Sequence, residues 1–317
     1  MTVLENSLAL IKKSSSIAES INSALIDKVN ATKIPTNIYH YTNDIGLAGI
    51  LSSGTLRFTD LFSVNDPSEI KHGFSHAIEI LKNLSDKGTT LEKAFCSRFF
   101  KLYQDQLHKT AHYYVCSFST KDDDLNQWRA YADNGQGYNL VFNCERLENF
   151  FTKELPNSKD HNSTFETRYN DSEIHELHNQ IISEMFPLIS HAENHSFSDE
   201  ELNMFIKTLS RELSMRLIHS ALFFKHEAYK DENEYRFMQF FRGDQPTPNL
   251  RKRPRGYELI EFVDLDFSSI KNDVLKKIVI GPAADQEKSE KFVNHYLLEH
   301  GYKNIEVLRS KIPYRLF

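Results

Sequence analysis

Strand-forming segments gather at the two ends of this chain, and helical stretches fill the span between them. A fold that alternated strand and helix regularly would intersperse them, so the distribution indicates α+β rather than βαβ repeats. Near the start, Asn37 to Tyr41 and Leu56-Arg57-Phe58-Thr59 read as strands, followed by Tyr113 to Phe118 and Tyr138 to Phe142. The last third returns to strands at Glu234–Phe241, Tyr257–Phe262, Ile278–Ile280 and Ile305–Leu308. Between them, about Ser172–Ser190 and Ser198–His226 carry helical periodicity, and Ser198-x-x-Glu201 has the spacing of a capping box. Residues about 152 to 165 are polar and read as irregular.

Ahead of the first strand, Leu4, Leu8, Ile11, Ile17, Ile21, Leu25 and Val29 recur at helical spacing, and Ile34-Pro35 stops the pattern. Such a helix serves as a lid, a dimer contact or a docking site, or packs on its own domain. The expected organisation is an N-terminal helical extension over 1–34, then a single α+β domain over 35–317 with a helical insertion at about 170–227. With 317 residues, 40% of them hydrophobic, the chain has material for a substantial core.

Net charge is −6, so the whole-molecule field does not attract polyanions. The one conspicuous basic run is Arg251-Lys252-Arg253-Pro254-Arg255, either a solvated loop or a local phosphate contact. Three cysteines without CxxC spacing fit small core residues in a reducing compartment. No leader and no apolar run of membrane-spanning length stands out, which leads to the expectation of a cytoplasmic protein.

Walker, GxGxxG, HExxH and GxSxG patterns are absent. His72 and His76 share a helix face, a geometry able to bind zinc, but no third ligand is evident, so no metal is expected. Three other segments draw attention. His40-Tyr41-Thr42 closes the first strand, with Thr42 placed to cap the next helix, and a His there can donate to a ribose hydroxyl. Ser117-Phe118-Ser119 closes another strand, followed by Trp128-x-x-Tyr131-Ala132, which suits a nucleotide cleft or an ordinary strand–helix junction. Glu232-Asn233-Glu234-Tyr235-Arg236 leads into an aromatic strand; if that strand is already regular at Glu232, the two carboxylates share a face, repel, and one titrates high.

These segments, with Gly54-x-Leu56, Asn65-Asp66-Pro67-x-Glu69, Gly137, Ile278-x-Ile280-Gly281 and Ser310-x-Ile312-x-Tyr314-Arg315, resemble the ordered motifs of the bacterial domain-of-unknown-function 2971 family. Their arrangement also resembles the ADP-ribosyltransferase superfamily, with a His on the first strand, a hydroxyl motif on a middle strand and E-x-E on a late one. A first-strand His there usually accompanies a lone Glu, so the mixture departs from that pattern.

The resemblance implies an ADP-ribosyltransferase-like β core and cleavage of the nicotinamide glycosidic bond of NAD, in a toxin or phage-defence effector. On it, Glu234 is the ribose-holding catalytic carboxylate and Glu232 orients the acceptor. His40, Tyr41, Thr42, Ser117 and Ser119 position NAD, Trp128 or Tyr131 stacks on a ring, and Arg236 pairs with the pyrophosphate or neutralises the carboxylates. A nucleic-acid or protein acceptor, and an antitoxin or regulator on the N-terminal helix, are the implied partners. Two other readings stay open: an inert nucleotide- or partner-binding module, and a metal-dependent nuclease using His40, Asp66, Glu69 and Glu234.

Overall fold

Ten strands join one sheet in the computed structural model, which describes residues 2–30, 34–63, 69–155, 162–243 and 246–315. They are β1 (Asn37–Thr42), β2 (Thr55–Asp60), β3 (Ala111–Ser119), β4 (Tyr138–Asn143) and β5 (Asn162–Glu166). The second half contributes β6 (Glu234–Arg242), β7 (Arg251–Arg255), β8 (Glu258–Asp266), β9 (Leu275–Ile280) and β10 (Glu306–Arg309). All pairings are antiparallel except β9 with β10, which makes the sheet mixed.

Strand β3 is the branch point. One of its edges pairs with β6 over the full length, from Ala111 opposite Arg242 to Ser119 opposite Glu234. The other edge is divided: β1 takes Ser119 through Tyr39, while β2 takes Val115 and Tyr114 through Thr59 and Asp60. Residues 116–118 therefore have no strand partner on that edge, and the sheet forks there into β1-β4-β9-β10 and β2-β8-β7. A backbone carbonyl left in such a fork needs another donor.

The helical stretches form a layer on one face. It comprises α1 (Val3–Asn30), α3 (Glu69–Lys87), α4 (Thr90–Thr110), α7 (Asp171–Met185), α8 (Leu188–Glu193) and α9 (Asp199–Ala221). The shorter helices are α2 (Asp44–Ser53), α5 (Leu125–Tyr131), α6 (Cys144–Asn149), α10 (Lys271–Val274) and α11 (Gln286–Glu299). Side chains on β3 alternate between two cores: Tyr113 and Val115 bury against the helical layer, Tyr114, Cys116 and Phe118 against the opposite side. Period two then carries Ser117 and Ser119 onto the helical-layer face, just beyond where that layer's packing stops. Each fully buried Phe in these cores contributes on the order of 1.5–3 kcal/mol.

Helix α1 is not a free arm. It packs on α9 and α7, with Ser15 Oγ 2.9 Å from Glu212, Asn22 Nδ2 3.0 Å from the Arg216 carbonyl, and Glu19 paired to Arg216 at 3.1 Å. Among the described residues, no helix is long and apolar enough to cross a membrane. All three cysteines are free and buried.

Several local expectations changed. Two strands, β5 and β7, lie where a loop and a solvated charge run were the readings: β5 takes its hydrogen bonds from β6, distant in sequence, and β7 from β8, which follows it across the tight turn Gly256-Tyr257. Asn43, rather than Thr42, caps α2, its carboxamide oxygen accepting from Gly46 N–H at 2.8 Å. Gly54 closes that helix with φ +64°, the left-handed turn glycine tolerates. Of the Asn65–Glu69 turn, residues 65–68 lie outside the described residues. The capping box at Ser198 and Glu201 is present in both directions. Ser198→Ala is expected to cost about 1 kcal/mol of stability, read from the midpoint of urea unfolding.

Candidate functional site

At the fork, Ser117's carbonyl accepts a hydrogen bond from His40 Nδ1 at 3.2 Å. A carbonyl only accepts, so Nδ1 carries the hydrogen, and burial pushes the imidazole pKa down despite this bond. His40 is thus neutral near pH 7, with Nε2 left as an acceptor. Nε2 is therefore able to accept from a hydroxyl, where donation was expected.

A cavity of about 300 Å³ opens at this point. That is at the small end of ligand-binding sizes. Its floor is the β3–β6 ladder. Ser119 stands opposite Glu234 and Ser117 opposite Arg236, so all four side chains share one face. Glu234 is 3% exposed and Arg236 2%. Each Glu234 oxygen accepts twice. Oε1 takes Ser117 Oγ at 2.5 Å and Arg236 Nε at 3.0 Å, and Oε2 takes Arg236 Nη2 at 2.9 Å and Lys225 Nζ at 3.3 Å. Burial pushes this carboxyl up, but Arg236, Lys225 and the Ser117 hydroxyl together outweigh it and hold the pKa well below the carboxylate range, at about 2.

Glu232 reaches the same place by another route. It ends a 3₁₀ turn (Glu227–Glu232), and Asn233 follows in the left-handed region with φ +46°, so strand geometry begins only at Glu234. Its Oε2 accepts from Lys225 at 2.5 Å, and its Oε1 accepts from the Tyr131 hydroxyl. Burial and this bond push the Tyr131 phenol up, which keeps it protonated and donating. The shared strand face from which repulsion was expected does not form, because the strand starts only at Glu234, and Lys225 donates to both carboxylates. Ser119 Oγ and Gln127 Nε2 donate to the Glu232 carbonyl at 2.9 and 3.0 Å, fixing its backbone.

Lys225 and Tyr169 were not singled out by sequence reading. Tyr169 enters and Lys225 leaves the helical insertion. The two ends meet as a short bridge, with Arg168 N–H on the Phe223 carbonyl and Lys225 N–H on the Arg168 carbonyl. Tyr169 Oη accepts the Glu234 N–H at 3.1 Å. Tyr169 directly precedes the insertion and Lys225 lies at its end, both outside the motifs, and a lone Lys or Tyr gives no local signal of burial.

Arg57, Arg253 and Arg255 form the wall across β3 from Glu234. Arg57 lies over the Phe262 ring at 4.2 Å and 3.9 Å from Asp264. Arg253 Nε is buried without a hydrogen-bond partner, and among the described residues Arg253 and Arg255 make no salt bridge. Burial, with Arg57 and Arg255 close by, lowers the Arg253 pKa, yet a guanidinium stays charged near neutral pH. The basic run is therefore partitioned: Arg251 and Lys252 pair with Asp264 and Glu261, while Arg253 and Arg255 face the cavity.

Other expected site residues have different work. Trp128 is fully buried and outside the cavity lining, with Nε1 donating to Asp123 at 2.8 Å, so the expectation that it stacks on a ligand ring is corrected. Tyr131, over a third exposed, lines the cavity. Tyr41 packs edge-on to Trp128 at 5.0 Å and bonds the 121–124 loop through Lys121 O and Asp124 N. Thr42 is not among the lining residues, and Arg236 is committed to Glu234 and the Leu222 carbonyl rather than open to a pyrophosphate. The closing Ser310 hydroxyl and the Lys311 N–H also donate to the Asp123 carboxylate, at 2.5 and 3.0 Å. Glycine at 281 fits because a Cβ there would strike the Gly135 carbonyl. Trp128, Gly281 and Ser310 thus hold the backbone and core together rather than line the cavity.

Residues 127–237 match the model of the family described as Protein of unknown function (DUF2971), the family that the ordered motifs resemble. The matched segment holds Tyr131, Glu232, Glu234 and Arg236 with the whole helical insertion, whereas His40, Ser117 and the three arginines lie outside it. No curated protein matches the chain, and no solved structure matches it.

Proposed function

Starting from residues 127–237 as a DUF2971 segment, we propose that the chain binds NAD in the fork and cleaves its nicotinamide glycosidic bond, transferring ADP-ribose to an acceptor. The observation that carries this reading is the polarity of one cavity, with two carboxylates on one side of β3 and three arginines on the other. A dinucleotide with a diphosphate and a ribose that turns cationic complements that division. The arginines meet the diphosphate, Tyr131 stacks on a ring, and the neutral His40 Nε2 accepts from a ribose hydroxyl.

The two carboxylates then divide the labour differently from their order in sequence. All four acceptor positions of Glu234 are filled, so it acts by holding Lys225 and Arg236 in place. Glu232 keeps one open position on each oxygen, so it holds the ribose 2′-hydroxyl and stabilises the oxocarbenium-like charge more in the transition state than in the ground state. A toxin or antiphage role and a macromolecular acceptor go with this reading only through the motif resemblance.

The same filled carboxylate favours a second reading, a module that binds a nucleotide without turning it over. Nicotinamide release and NAD calorimetry on the full chain separate them. Turnover that disappears in Glu232→Gln supports the enzyme, and tight binding without turnover supports the module. An Arg253→Ala/Arg255→Ala chain is expected to weaken NAD binding about tenfold or more and to flatten its salt dependence, since both charges meet the diphosphate. Unchanged binding removes the diphosphate from that wall.

A further inference from the structure

Away from the cavity, α3 and α7 face each other with matched one-turn pairs: His72 and His76 on one, Asp171 and His175 on the other. His72 Nε2 lies 3.0 Å from Asp171 Oδ1 and His76 Nε2 lies 3.9 Å from the same oxygen. One ligand atom from each of these three residues falls within 4.8 Å of the others. His76 Nε2 is buried and has no hydrogen-bond partner. A buried imidazole nitrogen without a hydrogen-bond partner, 3.9 Å from a carboxylate oxygen and beside a second imidazole, has a lone pair to give a cation.

We propose that His72 and His76, through Nε2, and Asp171, through its carboxylate, bind one zinc ion. Metal–ligand bonds of about 2.0–2.2 Å in a tetrahedron set ligand atoms roughly 3.3 Å apart, so closure needs shifts of about 1 Å. Two imidazoles with one carboxylate suit zinc, whereas calcium and magnesium prefer all-oxygen sets. The exposed His175, its ring 6.1 Å from that of His76, or a water completes the set. A plain His72–Asp171 ion pair needs no metal, but it leaves His76 Nε2 unexplained.

The ion is structural in this assignment. It ties α3 to α7, and the His72 ring meets the His226 ring edge-on at 4.9 Å. His226 follows Lys225 directly and caps the 3₁₀ turn that ends at Glu232, its Nδ1 accepting from Ala228 N–H at 3.1 Å. The metal thus braces the segment that delivers Lys225, whether or not the cavity binds NAD.

The test uses the untagged full chain, stripped of metal and titrated with zinc against a competing chromophoric chelator. Wild type is expected to take up about one zinc per chain and to melt several degrees higher with zinc than without. His76→Ala and Asp171→Asn are expected to lose at least tenfold in affinity and the thermal shift, while melting cooperatively near the metal-free wild type. Asp171→Asn keeps an exposed polar residue at a helix start, so it reports even where His76→Ala does not fold. His195→Ala, in a separate histidine pair with His191 at the end of α8, is expected to change nothing. Equal zinc affinity in wild type and Asp171→Asn, or no zinc-dependent thermal shift in wild type, overturns the site.

Discussion

Replacing Arg236 with Met is expected to lower the unfolding free energy by about 3–5 kcal/mol at pH 7. The substitution strips two of the four hydrogen bonds from a carboxylate that is 3% exposed, and it removes the donor to the Leu222 carbonyl. Lys225 and Ser117 remain, which favours the lower end of that range. Adding Glu234→Gln to Arg236→Met is expected to recover part of the loss, because the second change removes the stranded charge. Urea unfolding of the four members of the cycle measures it, and strictly additive losses would show that the pair is not coupled.

The same group sets an acid limb. Its folded pKa lies below the ordinary 4.5, at about 2. A depressed carboxyl binds its proton more weakly when folded, so its stabilisation is complete above the unfolded value and disappears as pH falls through the folded one. Wild type is expected to lose stability across about pH 5 to 2 more steeply than Glu234→Gln. Parallel curves over that window would contradict the buried, charged assignment.

The second large effect belongs to Glu232. If the cavity cleaves NAD, Glu232→Gln is expected to lower the rate of nicotinamide release about 10²–10⁴-fold while changing NAD affinity less than tenfold. Glu232 is only partly buried and starts no strand, so the cost in stability is expected to stay near 1 kcal/mol or less. A urea midpoint near that of wild type makes a loss of turnover chemical rather than structural. If instead Glu234→Gln abolishes turnover with its fold intact while Glu232→Gln does not, the two roles are reversed. That outcome requires Lys225, at 3.3 Å the longest of the four bonds to Glu234, to give way to the substrate hydroxyl.

Sequence order alone placed Ser117, Ser119, Glu234 and His40 in one list, and the β3 register brings all four to one fork. Order did not distinguish Trp128 from Tyr131, although they sit one turn apart on α5. The indole points into a sealed core and binds Asp123, while the phenol reaches Glu232. Both are aromatic by type, and only the surroundings of each ring separate a buried strut from a cavity-lining ring.

What the chain determined by itself is local. Helical spacing set α1, α7 and α9, paired Ser and Glu set a cap, and β-rich composition set β3, because each signal is read within one or two turns. What tertiary structure decided is long-range. Strand β5 exists because β6, far along the chain, supplies its hydrogen bonds. The depressed titration of Glu234 exists because Lys225 and Arg236 are delivered to it, one of them from the far end of the helical insertion. A carboxylate's chemistry depends on the charges within a few ångströms, and the sequence states which charges exist but not which of them meet.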